Sequence, residues 1–416
     1  MKHYLAKTAL ALSLCSVLSG GAAAEDTIKI GYVDPLSGGA ASVGQIGLNH
    51  LKFIADTVNA KGGVIGQKVE VIGYDNQVNP QVSLVQVQKA IDEGVRIIVQ
   101  GNGSSVGVAI EEFVEKYNRR NPDNHVVYLN YAAIDPVMTN EKCSYWHVSF
   151  DANVNVKMAA LTNFIQEQAD IKKVYLINQD YSFGHAVANT AVAMLKEKRP
   201  DIEVVGKELP PLVKITDFAP YVAKIQASGA DAVVTGNWGQ DFSLLLKAAG
   251  QSGLKVKWFT YYAGAAGGPT AVKQAGLDGQ VFQISEGINN LGYAEADATI
   301  DAYVARYKDA PVIFPRIFNT AGLLFKAIEE AKSANPDDFV PKFEGMTYKA
   351  FSNGGDAFLR ADDHQLFQPL FISSFGPLKD GQRFDEENTG WGWTKVGEIA
   401  ADKTVVPTTC EMKRPG

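Results

Sequence analysis

The chain has 416 residues, 46% hydrophobic, 10% aromatic and 20% charged, with 39 Gly, 17 Pro and three Cys. That length suits two or three domains with sizeable cores, and the composition excludes collagen-like, disordered and disulfide-scaffold classes. The formal charge is −7 with no long Lys/Arg block, which argues against a nucleic-acid partner, since counterion release needs a basic stripe.

The chain opens on Lys2, His3 and Lys7, an apolar run from Ala9 to Leu18, and small residues at Ala22, Ala23 and Ala24. This pattern reads as a cleaved secretory signal peptide over residues 1–24, too short to span a bilayer. Cys15 follows the bulky Leu14, where lipoprotein processing wants a small residue, so soluble export is expected. Cleavage leaves Cys143 and Cys410. In an oxidising compartment two cysteines most simply form one disulfide, which would tie the tail to the region around residue 143; the alternative is two unrelated buried thiols. Neither lies near a His cluster, and no metal site is expected.

From Thr27 onward, β-branched runs alternate with segments of helical apolar spacing. Strands are expected at 28–33, 68–74, 96–100, 126–130, 173–178, 203–205, 232–235, 257–261 and 280–285. Helices are expected at 43–59, 81–93, 108–118, 154–168, 185–198, 221–228 and 242–252. Longer helical patterns follow at 295–307 and 317–333, and a strand-like stretch at 368–376. Strands alternating with helices imply parallel sheets covered on both faces. About four such units precede Cys143 and about four follow it, so the chain divides into two α/β lobes. Ligands of open α/β sheets lie beyond the carboxyl ends of the strands, and two facing lobes form a cleft that can hinge closed.

The sharpest local feature is the run QGNGSSVG from Gln100 to Gly107, between a strand and a helix. Its glycines allow close backbone approach, and helix-start N–H groups with the Ser hydroxyls favour an anion such as a carboxylate. Gly103, Ser105 and Gly107 also match a nucleophile elbow, which gives an alternative reading: a secreted α/β-hydrolase using Ser105 and His364. No oxyanion stretch accompanies that set. The glycine spacing departs from a dinucleotide fingerprint, and P-loop, HExxH, CxxC and EF-hand motifs are absent. No cofactor and no catalysis are expected. Asp362 and Asp363 are adjacent, as solvated loop charges usually are.

Several motifs together resemble the branched-chain amino-acid-binding family of periplasmic proteins: IKIGYVDPLSGG from Ile28, NAKGGVIGQKVEVIGYD from Asn59, the Gly103-Ser104-Ser105 loop, DYSFG from Asp180 and DDHQ from Asp362. The resemblance runs from about residue 27 to 400. It implies a type I solute-binding protein of an ABC importer, with two Rossmann-like lobes, parallel sheets and three hinge crossings near 147–150, 285–287 and 360–364. The implied N-terminal lobe is 25–148 plus 286–360, the C-terminal lobe 149–285 plus 361–400, and the tail 401–416. The implied setting is the periplasm, and the implied partners are a small-molecule ligand and a membrane permease, the protein acting as a monomer.

By the same resemblance, Gly103, Ser104 and Ser105 form the oxygen-holding loop. Ala132 and Ala133 form a second loop that presents backbone groups to a carboxylate, and Tyr181 is an aromatic on the second lobe. Two departures stand out. Ile134 replaces a Thr hydroxyl, and Ala263, in the window FTYYAG, takes the slot of the acid that would pair with a ligand ammonium. A buried ammonium without a partner is costly, so an amine-free carboxylate, aromatic or branched, is expected, with an amino acid retained if Asp180, Asp241 or Glu286 substitutes. Tyr131, Tyr181, Phe183, Trp238, Tyr261 and Tyr262 fall at the lobe rims, where rings can stack on a planar apolar ligand. The expected contact set is Gly103, Ser104, Ser105, Tyr131, Ala132, Ala133, Tyr181, Trp238 and Tyr262.

Overall fold

In the computed structural model, which describes residues 27–308 and 314–415, strands and helices alternate as the spacing predicts. The expected signal segment, 1–24, lies outside the described residues. The first half contains β1 (Ile28–Asp34), α1 (Ala41–Asn59), β2 (Val69–Asp75), α2 (Pro80–Asp92), β3 (Ile97–Gln100), α3 (Ser104–Arg120), β4 (Val127–Asn130) and β5 (His147–Ser149). These strands form a parallel sheet in the order β2-β1-β3-β4-β5. Helices cover both faces, so β3 and β4 are buried at every position and apolar up to their last residues, Gln100 and Asn130. Pro80 starts α2, and the Asn79 side chain accepts the N–H groups of Gln81 and Val82.

The chain then builds α4 (Val154–Gln166), β6 (Lys173–Ile177), α5 (Ser182–Lys198), β7 (Glu203–Glu208), α6 (Ala219–Ser228), β8 (Ala232–Thr235), α7 (Gly239–Ser252), β9 (Lys257–Thr260), α8 (Gly268–Gln274) and β10 (Val281–Ser285). Three helices follow, α9 (Ala294–Arg306), α10 (Pro315–Ala331) and α11 (Pro336–Phe343), then the short strands β11 (Thr347–Lys349), β12 (Asp356–Leu359) and β13 (Leu366–Phe367). Last come β14 (Leu370–Pro377) and β15 (Trp391–Ile399), which complete a second sheet in the order β15-β14-β10-β9-β8-β6-β7. β14 and β15 run antiparallel to their neighbours.

After β10 the chain returns to the first lobe. α10 packs on α1, and the His50 ring of α1 stacks 4.4 Å from Tyr303 and 5.6 Å from Phe314. The chain passes between the two sheets after Ser149, after Ser285 and between Phe367 and Leu370. The last point differs from the expected boundary at 360/361. β13 pairs with β12, so residues 361–367 stay with the small sheet. The reason is local: Arg360 N–H bonds Gln365 O, His364 N–H bonds Arg360 O, and the Asp363 carboxylate holds the Arg360 guanidinium and the Gln365 N–H. His364 takes φ 52°. The Asp362–His364 cluster is therefore a hairpin turn.

Cys143 and Cys410 are joined in a disulfide. Beside it, Thr408 Oγ1 donates to Thr139 O at 2.6 Å and Thr409 N to Asn140 Oδ1 at 2.9 Å. The tail, leaving β15 of the second sheet, is thus fastened to the first lobe.

The connection between β14 and β15 carries a buried acid. Asn289 Nδ2 donates to Glu386 Oε1 at 2.9 Å, yet burial, with Glu387 and Asp385 adding to it, pushes the Glu386 carboxyl from 4.5 up to about 8. A raised carboxyl favours the fold while protonated. That contribution is complete below about pH 4.5 and is lost as pH rises to about 8. Thermal unfolding of Glu386→Gln across this window should show a shallower decline toward pH 8 than the parent, with a gap of a few kcal/mol at the alkaline end. Parallel pH profiles would refute this.

Candidate functional site

Loops at the carboxyl ends of the two sheets face each other, and helix N-termini converge there. α3 starts at Ser104 behind Gly103, whose φ of 94° suits glycine and which supplies no capping side chain. α5 starts behind Tyr181 and α7 behind Trp238, again without a side-chain cap. The first N–H groups of an α-helix have no partner within it, and the helix end carries partial positive charge. Three such ends border one cleft, which holds about 350 Å³ of atom-free space.

Of the contact set proposed from sequence, Gly103, Ser104, Ala132, Tyr181, Trp238 and Tyr262 line this cleft, together with Val43, Gly101, Asn102, Phe183, Ala265 and Arg316. Trp238 Nε1 donates to Tyr181 OH at 2.8 Å, which fixes the two rings relative to each other. Tyr262 OH donates to Ala132 O at 3.3 Å and to Asp151 Oδ2 at 2.9 Å, joining the two sides.

Three expected contact residues stand elsewhere. Ser105 Oγ lies 3.5 Å from Ser182 Oγ, bridging the starts of α3 and α5. Ala133 is buried and packs where Gly107 leaves no room for a Cβ. The N–H groups of Ala132 and Ala133 both donate to Asn130 Oδ1, at 3.1 and 2.7 Å, so neither is free for a carboxylate. Tyr131 is completely buried behind the glycine loop. Its hydroxyl donates to Asp34 and accepts from Asn102 Nδ2 at 2.8 Å, and lies 2.9 Å from Tyr32 OH. Asp34 also accepts Asn102 N–H at 3.0 Å, while burial lifts its carboxyl to about 7. Tyr131 is the platform on which the loop rests.

Arg316 is the residue that sequence reasoning missed. It lies in the first turn of α10, whose side chains there are buried, and a guanidinium directly before the apolar pair Ile317 and Phe318 is the available signal. Arg316 Nη1 bonds Glu286 Oε1 at 3.0 Å, and Lys157 Nζ bonds Asp151 Oδ1 at 2.7 Å and lies 4.0 Å from Glu286 Oε2. All four side chains are buried. Burial alone would raise the Glu286 carboxyl, but Arg316 and Lys157 hold it below its ordinary value. Burial raises Asp151 against the pull of Lys157.

The acids considered as ammonium partners are all engaged elsewhere. Glu286 is held by Arg316. Asp241 accepts Gln179 Nε2 and Val213 N, both at 2.8 Å, and Asp180 pairs with His185 at 2.8 Å. Ala263 is packed in the second lobe's core. Among the described residues, no Asp or Glu lines the cleft, and Arg316 is its one charged residue. Nor do Ser105 and His364 meet. His364 is fully buried, its ring 5.4 Å from Tyr145 and 3.6 Å from Glu344, and no hydrogen bond joins it to Ser105.

Two α/β lobes closing on a cleft of uncapped helix starts and aromatic rings define a solute-binding protein. The family model described as periplasmic binding protein matches residues 27–382, and the chain belongs to that family, a class of solute-binding, non-enzymatic proteins of the periplasm. The Leu/Ile/Val-binding protein homolog 4 of Brucella melitensis is 32% identical over 416 residues, covering 98% of each chain. Among solved structures, the leucine-, isoleucine-, valine-, threonine- and alanine-binding protein of Brucella ovis, in a closed conformation, matches with TM-score 0.82 and 32% identity, covering 94% of this chain and 100% of that one. A solute-binding protein of an ABC transporter from R. palustris, in complex with benzoate, matches with TM-score 0.76 at 16% identity, over 93% of this chain and 100% of that one, a likeness of fold.

Proposed function

We propose that this protein, exported by cleavage of residues 1–24 and acting as a monomer, captures a small organic acid without an α-amine, aromatic or branched, and delivers it to the permease of an ABC importer. The observation that carries this reading is the charge of the cleft: three uncapped helix starts and Arg316 favour an anion, and no lining carboxylate receives an ammonium. Tyr181, Trp238 and Tyr262 bury the apolar body of the ligand. The lobes are 27–149 with 287–308 and 314–367, and 150–285 with 370–399, and closing them removes water from the ligand. The relatives named for Leu, Ile and Val support a branched body.

The test is a thermal-shift panel of matched pairs: leucine with 4-methylpentanoate, phenylalanine with 3-phenylpropanoate, and benzoate alone. An acid at about 100 times its Kd should stabilise the fold by ~2.7 kcal/mol. Stabilisation confined to the amine-bearing members would overturn the organic-acid reading.

A further inference from the structure

Adjoining the ligand cleft is a second pocket. The two share Tyr262, Ala265 and Arg316 as common wall, and Glu286, Ser285 and Gln283 line only the second. The Arg316 side chain therefore stands between the ligand cleft and a buried carboxylate. Glu286 Oε2 has no hydrogen-bond partner, and Lys157 Nζ lies 4.0 Å from it. Lys157 is committed to Asp151 at 2.7 Å, so Arg316 is the principal partner of Glu286. The guanidinium is kept over the Tyr262 ring, 5.2 Å from its centroid, and over Phe314 at 4.8 Å.

We propose that Arg316 is the specificity-determining residue of this pocket, and that it acts by masking Glu286. The chain thus retains an acid able to pair with a ligand ammonium, placed in the adjoining pocket and covered by a cation. With Arg316 in place, the cleft presents a donor and selects a carboxylate lacking an amine. With the guanidinium removed, the two cavities join and the Glu286 carboxylate faces the ligand. Among the described residues, only Lys157, 4.0 Å away and bonded to Asp151, then faces Glu286; a buried carboxylate short of counter-charge is disfavoured, and an amine-bearing ligand supplies the remainder. This inference rests on the organic-acid reading and names the residue that enforces it.

The experiment measures, by calorimetry on the full chain, the Kd ratio within each pair: leucine against 4-methylpentanoate and phenylalanine against 3-phenylpropanoate. The parent should favour the amine-free member by about tenfold or more. Arg316→Met should shift the ratio toward the amine-bearing member by about a hundredfold. Arg316→Lys keeps the cation and should retain the parent's preference. Arg316→Met with Glu286→Gln removes both charges, which leaves no buried ion unpaired should the single variant fold poorly; its ratio should fall between those of the parent and Arg316→Met. A parent that prefers the amine-bearing member overturns the organic-acid reading. A parent that prefers the acid, with ratios unchanged in Arg316→Met or in the double variant, overturns the masking role alone.

Discussion

Replacing Gly101 by Ala should weaken ligand capture by about a hundredfold in Kd, equivalent to ~2.7 kcal/mol and within the usual cost of forcing an extra methyl into a packed site. A Cβ at Gly101 would fall 2.6–2.7 Å from three ring carbons of Tyr131. The ring cannot retreat, because its hydroxyl is held by Asp34, Asn102 and Tyr32 together. The strain therefore passes to the loop, and Asn102, Gly103 and Ser104 shift within the cleft wall. The second variant, Gly101→Ala with Tyr131→Ala, gives the methyl room and should recover part of the lost affinity. Calorimetry with the strongest acid of the panel decides the matter: an unaltered Kd for Gly101→Ala would show that the loop is free to move.

The second large effect lies at the opposite end of the chain. Substituting Ser for both Cys143 and Cys410 should lower the unfolding free energy by about 5 kcal/mol, because a cross-link over 267 residues removes much of the freedom of the unfolded chain. The tail should then also lose its hold at Thr139 and Asn140, since the hydrogen bonds there lie within two residues of Cys410. Equilibrium unfolding in guanidinium would show an earlier midpoint. Equal midpoints for parent and variant would mean that the tail's noncovalent contacts suffice without the bridge.

The regular part of the architecture was legible because its signals are local. β1, β8 and α10 bury nearly every apolar residue of their runs, and short β-branched segments bounded by Gly or Asx have few alternatives. β5 and β13, of three and two residues, are too short to show a period. β15 alternates weakly, since Gly392 and Gly397 interrupt its apolar side and much of the strand faces solvent. The family resemblance puts a crossing near 360–364, and only the pairing of Leu359 with Leu366 shows that Asp363 lies in a hairpin.

The sequence by itself determined the class of this protein, the two-lobed α/β order, the glycine loop and the lack of an acid at position 263. The order and the loop follow from spacing and residue type, whereas the class and the significance of position 263 follow from the resemblance to the branched-chain amino-acid-binding family. The tertiary structure decided which groups meet in the cleft. Arg316 belongs to a helix more than 200 residues beyond Ser104, yet both line one wall. Asn130 takes the amides of Ala132 and Ala133, and Tyr131 turns inward to Asp34. The balance of Arg316 against Glu286, and of Lys157 against Asp151, is likewise a property of the folded chain. Charge pairing in a buried site depends on distances of a few ångströms between segments far apart in sequence, and local periodicity carries no record of them.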